Sequence, residues 1–427
     1  MKRSLGFFES MYVYCNQIAP SHANIGVMVS IQGSLHLDIL RESLYFLFER
    51  HSNLRCIIHS DDGESFFSET ATLDNIPLRV VQKTSSEQWK TCFEEEIHQP
   101  FPTDRYLWKL LVLEDIDTKQ HELIASFHHS IMDGISGYKF FDDLLTYYSL
   151  LFHKTKPSFS RLPLLPAIER LVGSEYPEDK YFSNMEKFPS SLWPYSEHVP
   201  LHLRKSKFLF RVIDEPLFTS IATSAKKHGL SINSTLHAAL ALSIARFHQK
   251  PLEMQYHTPM QLRSHSKPPI GREYLGCFIS VLVIPCSNLQ PDSPFWTLAK
   301  EYEKQIRTLI PTAGFSPSKF AFTKVTQQLD RSIDFCETHK SFPMRIGITN
   351  LGVLSSNLDY NPLTLRSFFF GSLHKIGRYP FFIYAASLGK SMFISLEYTA
   401  PLLDARSAHT IWESFFEILE EMTAQNK

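Results

Sequence analysis

Two adjacent histidines, His128 and His129, are followed within five residues by Asp133 and Gly134. A histidine suits general-base chemistry because its unperturbed pKa of about 6.5 leaves most of the imidazole neutral near pH 7. The pair directly follows an apolar segment that predicts a β-strand. Neighbouring side chains of a strand point to opposite faces, so we expect only one of the two imidazoles to face a substrate.

The motif stands between a predicted strand and a predicted helix. Residues 123–127 (LIASF) form the apolar run that precedes it, and 108–113 predict a second strand. After the motif, apolar residues at helical spacing predict an amphipathic helix; they are Phe141, Leu144, Leu145, Tyr148 and Leu151. Upstream, residues 54–59 predict another strand. This alternation of helical and extended patterns indicates an α/β protein.

A proline-rich stretch divides the chain into two parts. The prolines that cluster there stand at 157, 163, 166, 177, 189, 194 and 200. Helical and extended patterns fade in this stretch and then resume, which is typical of a linker. We therefore predict an N-terminal lobe over residues 1–153, a linker over 154–205 and a C-terminal lobe over 206–427.

Composition excludes several classes of protein. The 427 residues carry a formal net charge of −1, so no global field favours nucleic acid. The longest strongly apolar run, 275–285, is shorter than the roughly 20 residues of a transmembrane helix, and no signal-peptide core is present, so we expect a cytoplasmic protein. The six cysteines are widely spaced without a C-x-x-C pair, which argues against a zinc ribbon or a disulfide scaffold. We expect no bound metal.

The segment HHSIMDGISG resembles the H-H-x-x-x-D-G signature of the superfamily of condensation domains and chloramphenicol-acetyltransferase-like acyltransferases. Other segments are similar to phrases of this superfamily, in the same order along the chain. They are Glu49 to Arg55, Asn233 to Phe247, Pro259 to Arg263, Tyr274 to Phe278, and Thr349 to Gly352. The last of these is similar to the S/T-N-L-G phrase of the polyketide-associated and alcohol-acetyltransferase branch.

The resemblance implies a fold as well as an activity. It implies two chloramphenicol-acetyltransferase-like α/β lobes that form a V-shaped pseudo-dimer, with the active-site channel between them. The D-F-G-W-G motif of the plant branch is missing, and the two lobes account for the whole length. We therefore expect a stand-alone acyltransferase that moves an acyl group from a thioester to a hydroxyl or amine, without a carrier or adenylation domain of its own.

The resemblance also assigns roles within the motif. The second histidine, His129, would be the general base that takes the proton of the attacking group. His128 would be a packed, hydrogen-bonded residue. Asp133 would be structural and would pair with an arginine of the second lobe, for which Arg263 is the best match. The backbone N–H of Gly134, which also permits a tight backbone, would help to hold the oxyanion.

The co-substrates follow from the same resemblance. The donor would be acyl-CoA or an acyl group on a phosphopantetheinyl carrier protein, and no tightly bound cofactor is implied. The acceptor would be a small molecule, and an acyl carrier protein is a possible partner. Thr349 and Asn350 are candidates for lining the acceptor side, although both residues could equally form a turn at a strand end.

Other interpretations use the same residues. His128 and Asp133 also fit the H-x₄-D pattern of glycerolipid acyltransferases, in which the aspartate orients the histidine. A serine hydrolase would need G-x-S-x-G, which the chain lacks. A different class of hypothesis is a non-catalytic, condensation-like module that binds a carrier protein or another enzyme. Such modules generally lose part of the histidine motif, whereas this chain keeps it.

Overall fold

The computed structural model describes residues 2–61, 64–172, 188–312, 322–355 and 357–424. The helices within these residues are α1 (Phe7–Ile18), α2 (Leu37–Arg50), α3 (Gln88–His98), α4 (Gly134–Phe152), α5 (Ile168–Leu171), α6 (Glu215–Lys227), α7 (Ile232–His248), α8 (Phe295–Thr312), α9 (Phe322–His339) and α10 (Ala405–Ala424). The first strands are β1 (Lys2–Ser4), β2 (Ile25–Gln32), β3 (Cys56–Asp61), β4 (Glu64–Glu69), β5 (Leu78–Gln82), β6 (Trp108–Glu114), β7 (Gln120–Phe127), β8 (Leu192–Pro194) and β9 (Lys205–Ile213). The others are β10 (Leu252–Gln261), β11 (Ile279–Leu289), β12 (Ser341–Pro343), β13 (Arg345–Ser355), β14 (Asp359–Tyr360), β15 (Leu363–Ser372), β16 (Phe381–Leu388) and β17 (Ser391–Ala400). The mixed α/β class is as predicted.

The described chain divides into two compact units, and neither is continuous in sequence. The first unit contains the residues up to 172 together with Gln261–Ile279 and Val353–Leu373. The second contains the remaining described residues. The sequence analysis assigned Gln261–Ile279 and Val353–Leu373 to the C-terminal lobe over 206–427. The structure groups these two inserted segments with the N-terminal residues in the first unit. The assignment of 154–205 as a linker stays a prediction.

Six strands form the main sheet of the first unit, in the order β14, β15, β2, β7, β6 and β5. β2 pairs antiparallel with both β15 and β7, and β6 pairs antiparallel with β7. In this register Ile25 lies opposite Phe127, the last residue of β7. The histidine motif therefore begins where a central strand of this sheet ends.

Helices cover both faces of this sheet. A β-carbon added to Gly26 would lie 2.9 Å from the Phe93 ring on α3, and one added to Gly137 on α4 would lie 2.6 Å from Val27. Gly26 and Val27 are neighbours in β2 and face opposite ways, so α3 and α4 pack on opposite faces. A strand covered on both faces needs no polar alternation, which explains why nearly all of Ile25–Gln32 is buried.

Local patterns predicted most elements around the motif, with one correction. The strands at 108–113 and 123–127 are β6 and β7, and the predicted helix is α4. The predicted strand at 54–59 begins only at Cys56, because Ser52–Arg55 forms a turn of 3₁₀-helix. The Arg55 guanidinium donates hydrogen bonds to the carbonyl oxygens of Phe48 and Glu49, at 2.6 and 2.7 Å. These bonds satisfy carbonyls at the C-terminal end of α2 and hold the chain in the turn.

The second unit has a six-stranded sheet of its own, in the order β11, β10, β13, β16, β17 and β9. β10 and β13 run parallel, whereas β17 pairs antiparallel with β16 and β9. α7 is buried along most of its length and belongs to the apolar core of this unit, as does α10. In the part of the chain that the structure describes, no helix is both long and apolar enough to cross a membrane.

Candidate active site

His128 directly follows β7, and its backbone N–H donates to the carbonyl oxygen of Leu107 at 2.8 Å. Its ring is fully buried, and Nδ1 lies 2.7 Å from the Ser130 hydroxyl and 3.3 Å from the Ser130 backbone nitrogen. A backbone N–H can only donate, so Nδ1 is the accepting nitrogen and Nε2 carries the proton. Burial, with His129 beside it, lowers the pKa of His128 to about 3. The ring is therefore neutral near pH 7.

His129 begins a single turn of 3₁₀-helix, His129–Ile131, so it lies beyond the strand. The expectation from strand alternation therefore does not apply to its ring, because β7 ends at Phe127, where the sequence predicted the strand to end. The residue is 8% exposed, and its imidazole stacks on the Tyr12 ring of α1. The two ring centroids lie 4.0 Å apart, with an angle of 6° between the planes.

Asp133 and Arg263 form the predicted ion pair. Arg263 Nη1 lies 2.8 Å from Asp133 Oδ2, and Nη2 lies 3.3 Å from Oδ1. The aspartate also accepts hydrogen bonds from the backbone N–H groups of Ser136 (2.8 Å) and Phe278 (3.1 Å). The first of these bonds caps α4, a role for which aspartate is well suited. Both charged side chains are almost completely buried.

The position of this pair corrects one part of the prediction. Arg263 was expected to come from the second lobe, yet the segment Gln261–Ile279 belongs to the first unit, as Asp133 does. Arg263 lies in a short turn of 3₁₀-helix after β10, and its guanidinium also stacks over the Phe278 ring at 4.6 Å. The ion pair therefore fastens this inserted segment to the start of α4 within one unit.

Ser136 was missed by the sequence analysis, although it belongs to the same ten-residue segment. Its buried hydroxyl accepts a hydrogen bond from Arg263 Nη2 at 2.7 Å and another from the Gly276 N–H at 3.0 Å. It donates in turn to the Gly276 carbonyl oxygen at 3.0 Å. Nothing in the local pattern distinguishes this serine from an ordinary residue of the first helical turn. Ser136 thus bridges the arginine and the inserted segment.

Gly134 is the half-buried first residue of α4 and has a helical backbone, because its φ is not positive. The tight backbone that this glycine was expected to permit is therefore not adopted. The N–H groups of a first helical turn have no partner inside the helix. The Gly134 N–H is such a donor.

Thr349 and Asn350 lie on β13, in the part of that strand that belongs to the second unit. Asn350 Oδ1 accepts a hydrogen bond from the Gly352 N–H at 2.9 Å, and Gly352 has a φ of +70°. This is the local bonding of a residue that stabilises an irregular backbone. The side chain of Asn350 thus behaves as the turn former that the sequence allowed. A role for either residue at the acceptor side stays a prediction.

The helix that carries Tyr12 is held by buried charged groups. Arg3 makes two hydrogen bonds to the Glu9 carboxylate, at 2.8 and 2.7 Å, and Glu9 also accepts the Gly6 N–H at 2.6 Å. Glu169 on α5 accepts the Phe8 N–H at 3.2 Å. Burial and the neighbouring Glu9 carboxylate raise the pKa of Glu169 to about 7. Two buried carboxyl groups thus lie at the start of α1, and the Arg3 guanidinium bonds one of them, Glu9.

Glu169→Gln should change the pH dependence of stability. Because the folded protein raises the pKa of Glu169 from 4.5 to about 7, wild-type stability should fall as pH rises through this window. The neutral glutamine avoids this loss. At pH 8 the variant should therefore be more stable by about 3 kcal/mol, and at pH 4.5 the two proteins should be nearly equal.

Urea unfolding at pH 4.5, 6 and 8 measures this difference. The exposed Glu42 provides the control, since Glu42→Gln should change stability by less than about 0.5 kcal/mol. A Glu169→Gln variant that is less stable than wild type at pH 8 would contradict the prediction, because it would mean that the folded protein needs the charge.

Comparison with known proteins identifies related sequences. The family model described as Condensation domain matches residues 11–427. The nonribosomal peptide synthetase penN of Penicillium thymicola is 33% identical over 137 residues, which are 31% of this chain and 5% of that protein. The chain thus corresponds to only a small part of the length of this relative.

Two solved structures share the fold over almost the whole chain. The trichothecene 15-O-acetyltransferase TRI3 of Fusarium sporotrichioides has a TM-score of 0.75 at 14% identity, covering 99% of this chain and 94% of that one. The starter condensation domain of rhizomide synthetase RzmA, solved in complex with C8-CoA, has a TM-score of 0.73 at 13% identity, covering 99% and 95%. Because the family model spans nearly every residue and the folds agree, the chain belongs to the condensation-domain family.

Proposed function

We propose that this protein is an acyltransferase that moves an acyl group from a thioester to a hydroxyl or amine, with His129 as the general base. The observation that carries the proposal is the setting of His129. Its imidazole follows the central strand β7, stacks on Tyr12 and precedes a turn that the buried pair of Asp133 and Arg263 fixes. A catalytic base needs such a fixed position, because its contribution depends on geometry in the transition state.

The reaction needs a base because a neutral alcohol is a weak nucleophile. His129 would take the hydroxyl proton while the oxygen attacks the thioester carbonyl carbon. The new C–O bond forms, the C–S bond of the tetrahedral intermediate then breaks, and the imidazolium returns its proton to the leaving thiolate. The products are an ester and a free thiol. With an amine acceptor the same steps give an amide.

Asp133 has no part in proton transfer under this proposal. Its carboxylate oxygens already accept hydrogen bonds from Arg263, Ser136 and Phe278. Nor does it orient His128, whose accepting nitrogen bonds Ser130 instead. The H-x₄-D interpretation requires a bond between His128 and Asp133, and the contacts of both residues favour the H-H-x-x-x-D-G mechanism over it.

Gly134 would stabilise the oxyanion. Its backbone N–H belongs to the first turn of α4, where the donors and the helix dipole favour negative charge. Because the residue lacks a side chain, the carbonyl of the acyl group could approach this N–H closely. The proposed site thus combines a base and an electrostatic stabiliser at the two ends of the segment from His129 to Gly134.

The donor would be acyl-CoA or an acyl group on a phosphopantetheinyl carrier protein, without a tightly bound cofactor. The RzmA starter domain, which shares this fold, was solved with C8-CoA, which supports the first source. The likeness to part of a peptide synthetase supports the second. Both donors present the same thioester, so the chemistry of His129 is the same for each.

A thiol-release assay tests the proposal. The protein would be incubated with acetyl-CoA, octanoyl-CoA or octanoyl-carrier protein and with a panel of alcohols and amines, and free thiol and acylated product would be measured. We expect acceptor-dependent thiol release with at least one pair. If no pair reacts while the carrier protein binds tightly, the non-catalytic module becomes the better interpretation.

A further inference from the structure

The stacking of Tyr12 on His129 is a contact that the H-H-x-x-x-D-G motif does not include. The rings are nearly parallel, with 4.0 Å between their centroids, so one face of the imidazole is covered by the tyrosine. The contact places the two ring faces directly against each other. The stack therefore restricts the rotation of the His129 side chain as well as shielding it.

Tyr12 is itself held firmly. It is 9% exposed and packs in an apolar cluster with Phe8, Ala23 and Cys277. The helix α1 that carries it is fixed at its first turn by the buried Glu9 carboxylate, which Arg3 neutralises. An immobile ring is a suitable support for a second ring, because little conformational entropy is lost when the two pack together.

We infer that Tyr12 is a positioning residue for His129, a role that rests on the proposed function of His129 as the base. Two physical effects support it. The parallel stack holds the imidazole in one plane, so that its accepting nitrogen is oriented before the acceptor binds. When the imidazole takes a proton, the face of the tyrosine ring stabilises the cation that forms. Both effects act through the ring, and neither requires the hydroxyl group.

Substitutions at Tyr12 distinguish the effect of the aromatic ring from the effect of side-chain size. Tyr12→Phe keeps the aromatic face and should retain kcat within about twofold. Tyr12→Leu removes that face and should lower kcat about tenfold while KM changes less than about twofold, because the effect arises as charge develops on His129. Tyr12→Met, which fills space flexibly, covers the case in which the leucine variant folds poorly.

Proton NMR of histidine-labelled protein gives a readout that does not depend on activity. The ring current of Tyr12 should shift the His129 ring protons upfield in the wild type and in Tyr12→Phe, and the shift should disappear in Tyr12→Leu and Tyr12→Met. The signals are assigned by their loss in His129→Ala. Loss of the shift with unchanged kcat would overturn the positioning role but leave the base intact.

The remaining outcomes are equally decisive. If Tyr12→Phe loses as much activity as Tyr12→Leu, the hydroxyl group acts rather than the ring, and the inference is wrong. If the ring-current shift is present but His129→Ala still transfers acyl groups, the proposed function fails while the stack itself is verified. The two failures therefore give different results.

Discussion

His129→Ala should lower the rate of acyl transfer by about 10²–10⁴-fold, which is the usual contribution of a positioned general base. The effect should appear in kcat, because the proton is removed in the transition state and not on binding. An alcohol acceptor gives the fairer measurement, since an amine that is already deprotonated needs less help from a base. Steady-state thiol release with saturating donor measures the rate.

The neighbouring histidine provides the matched comparison. His128→Ala removes a fully buried ring and leaves the Ser130 N–H and hydroxyl without their acceptor, which costs about 1–3 kcal/mol. It should therefore reduce the yield of folded protein at least as much as turnover. The exposed His409 serves as a control, because His409→Ala should change neither. Circular dichroism and urea unfolding of all three variants distinguish loss of fold from loss of chemistry.

Two results would contradict this assignment. If His129→Ala kept near-normal turnover while folded His128→Ala lost it, the first histidine would be the base. The H-x₄-D interpretation would then be the better one, despite the hydrogen bond between His128 and Ser130. If both variants transferred acyl groups normally, neither histidine would be the base, and the proposed mechanism would fail.

Local sequence patterns predicted the elements that frame the motif because those elements depend on short-range periodicity. α4 has an apolar stripe, and β6 and β7 are short apolar runs bounded by polar turns. β15 was not predicted, and neither was its pairing with β2. The sequence of β2 does not alternate between apolar and polar residues, because both faces of this strand are covered. Nothing in a local window shows that a strand near residue 370 joins a sheet built near residue 30.

The candidate site was predictable only in part, for the same reason. The resemblance supplied the pairing of Asp133 with Arg263, which lie 130 positions apart. It gave no indication of Tyr12 or Glu169. Both act through contacts with residues distant in sequence. The sequence around each of them contains no motif that distinguishes it from an ordinary buried residue. Such contacts are fixed by tertiary packing, which periodicity does not encode.

Arg263→Ala should destabilise the folded protein by about 3–5 kcal/mol, because it leaves the Asp133 carboxylate buried without its counter-ion. The loss includes the stacking of the guanidinium on Phe278 and the hydrogen bonds to Ser136 and the Tyr274 carbonyl. Urea unfolding measures the change. Arg272, an exposed arginine of the same segment, is the control, and Arg272→Ala should shift stability by less than about 0.5 kcal/mol.

A double-variant cycle shows whether the ion pair itself causes this loss. Asp133→Asn removes the negative charge but keeps a side-chain oxygen that can accept the Ser136 N–H and so cap α4. If the unpaired charge dominates, Arg263→Ala should cost much less in the Asp133→Asn background than in the wild type. Additive effects would instead assign the loss to packing against Phe278. Either single variant removes the ion pair that holds the C-terminal end of the segment from His129 to Gly134. Activity measured below the unfolding transition should therefore fall as well. A stable Arg263→Ala variant with full activity would show that the pair does not hold the site.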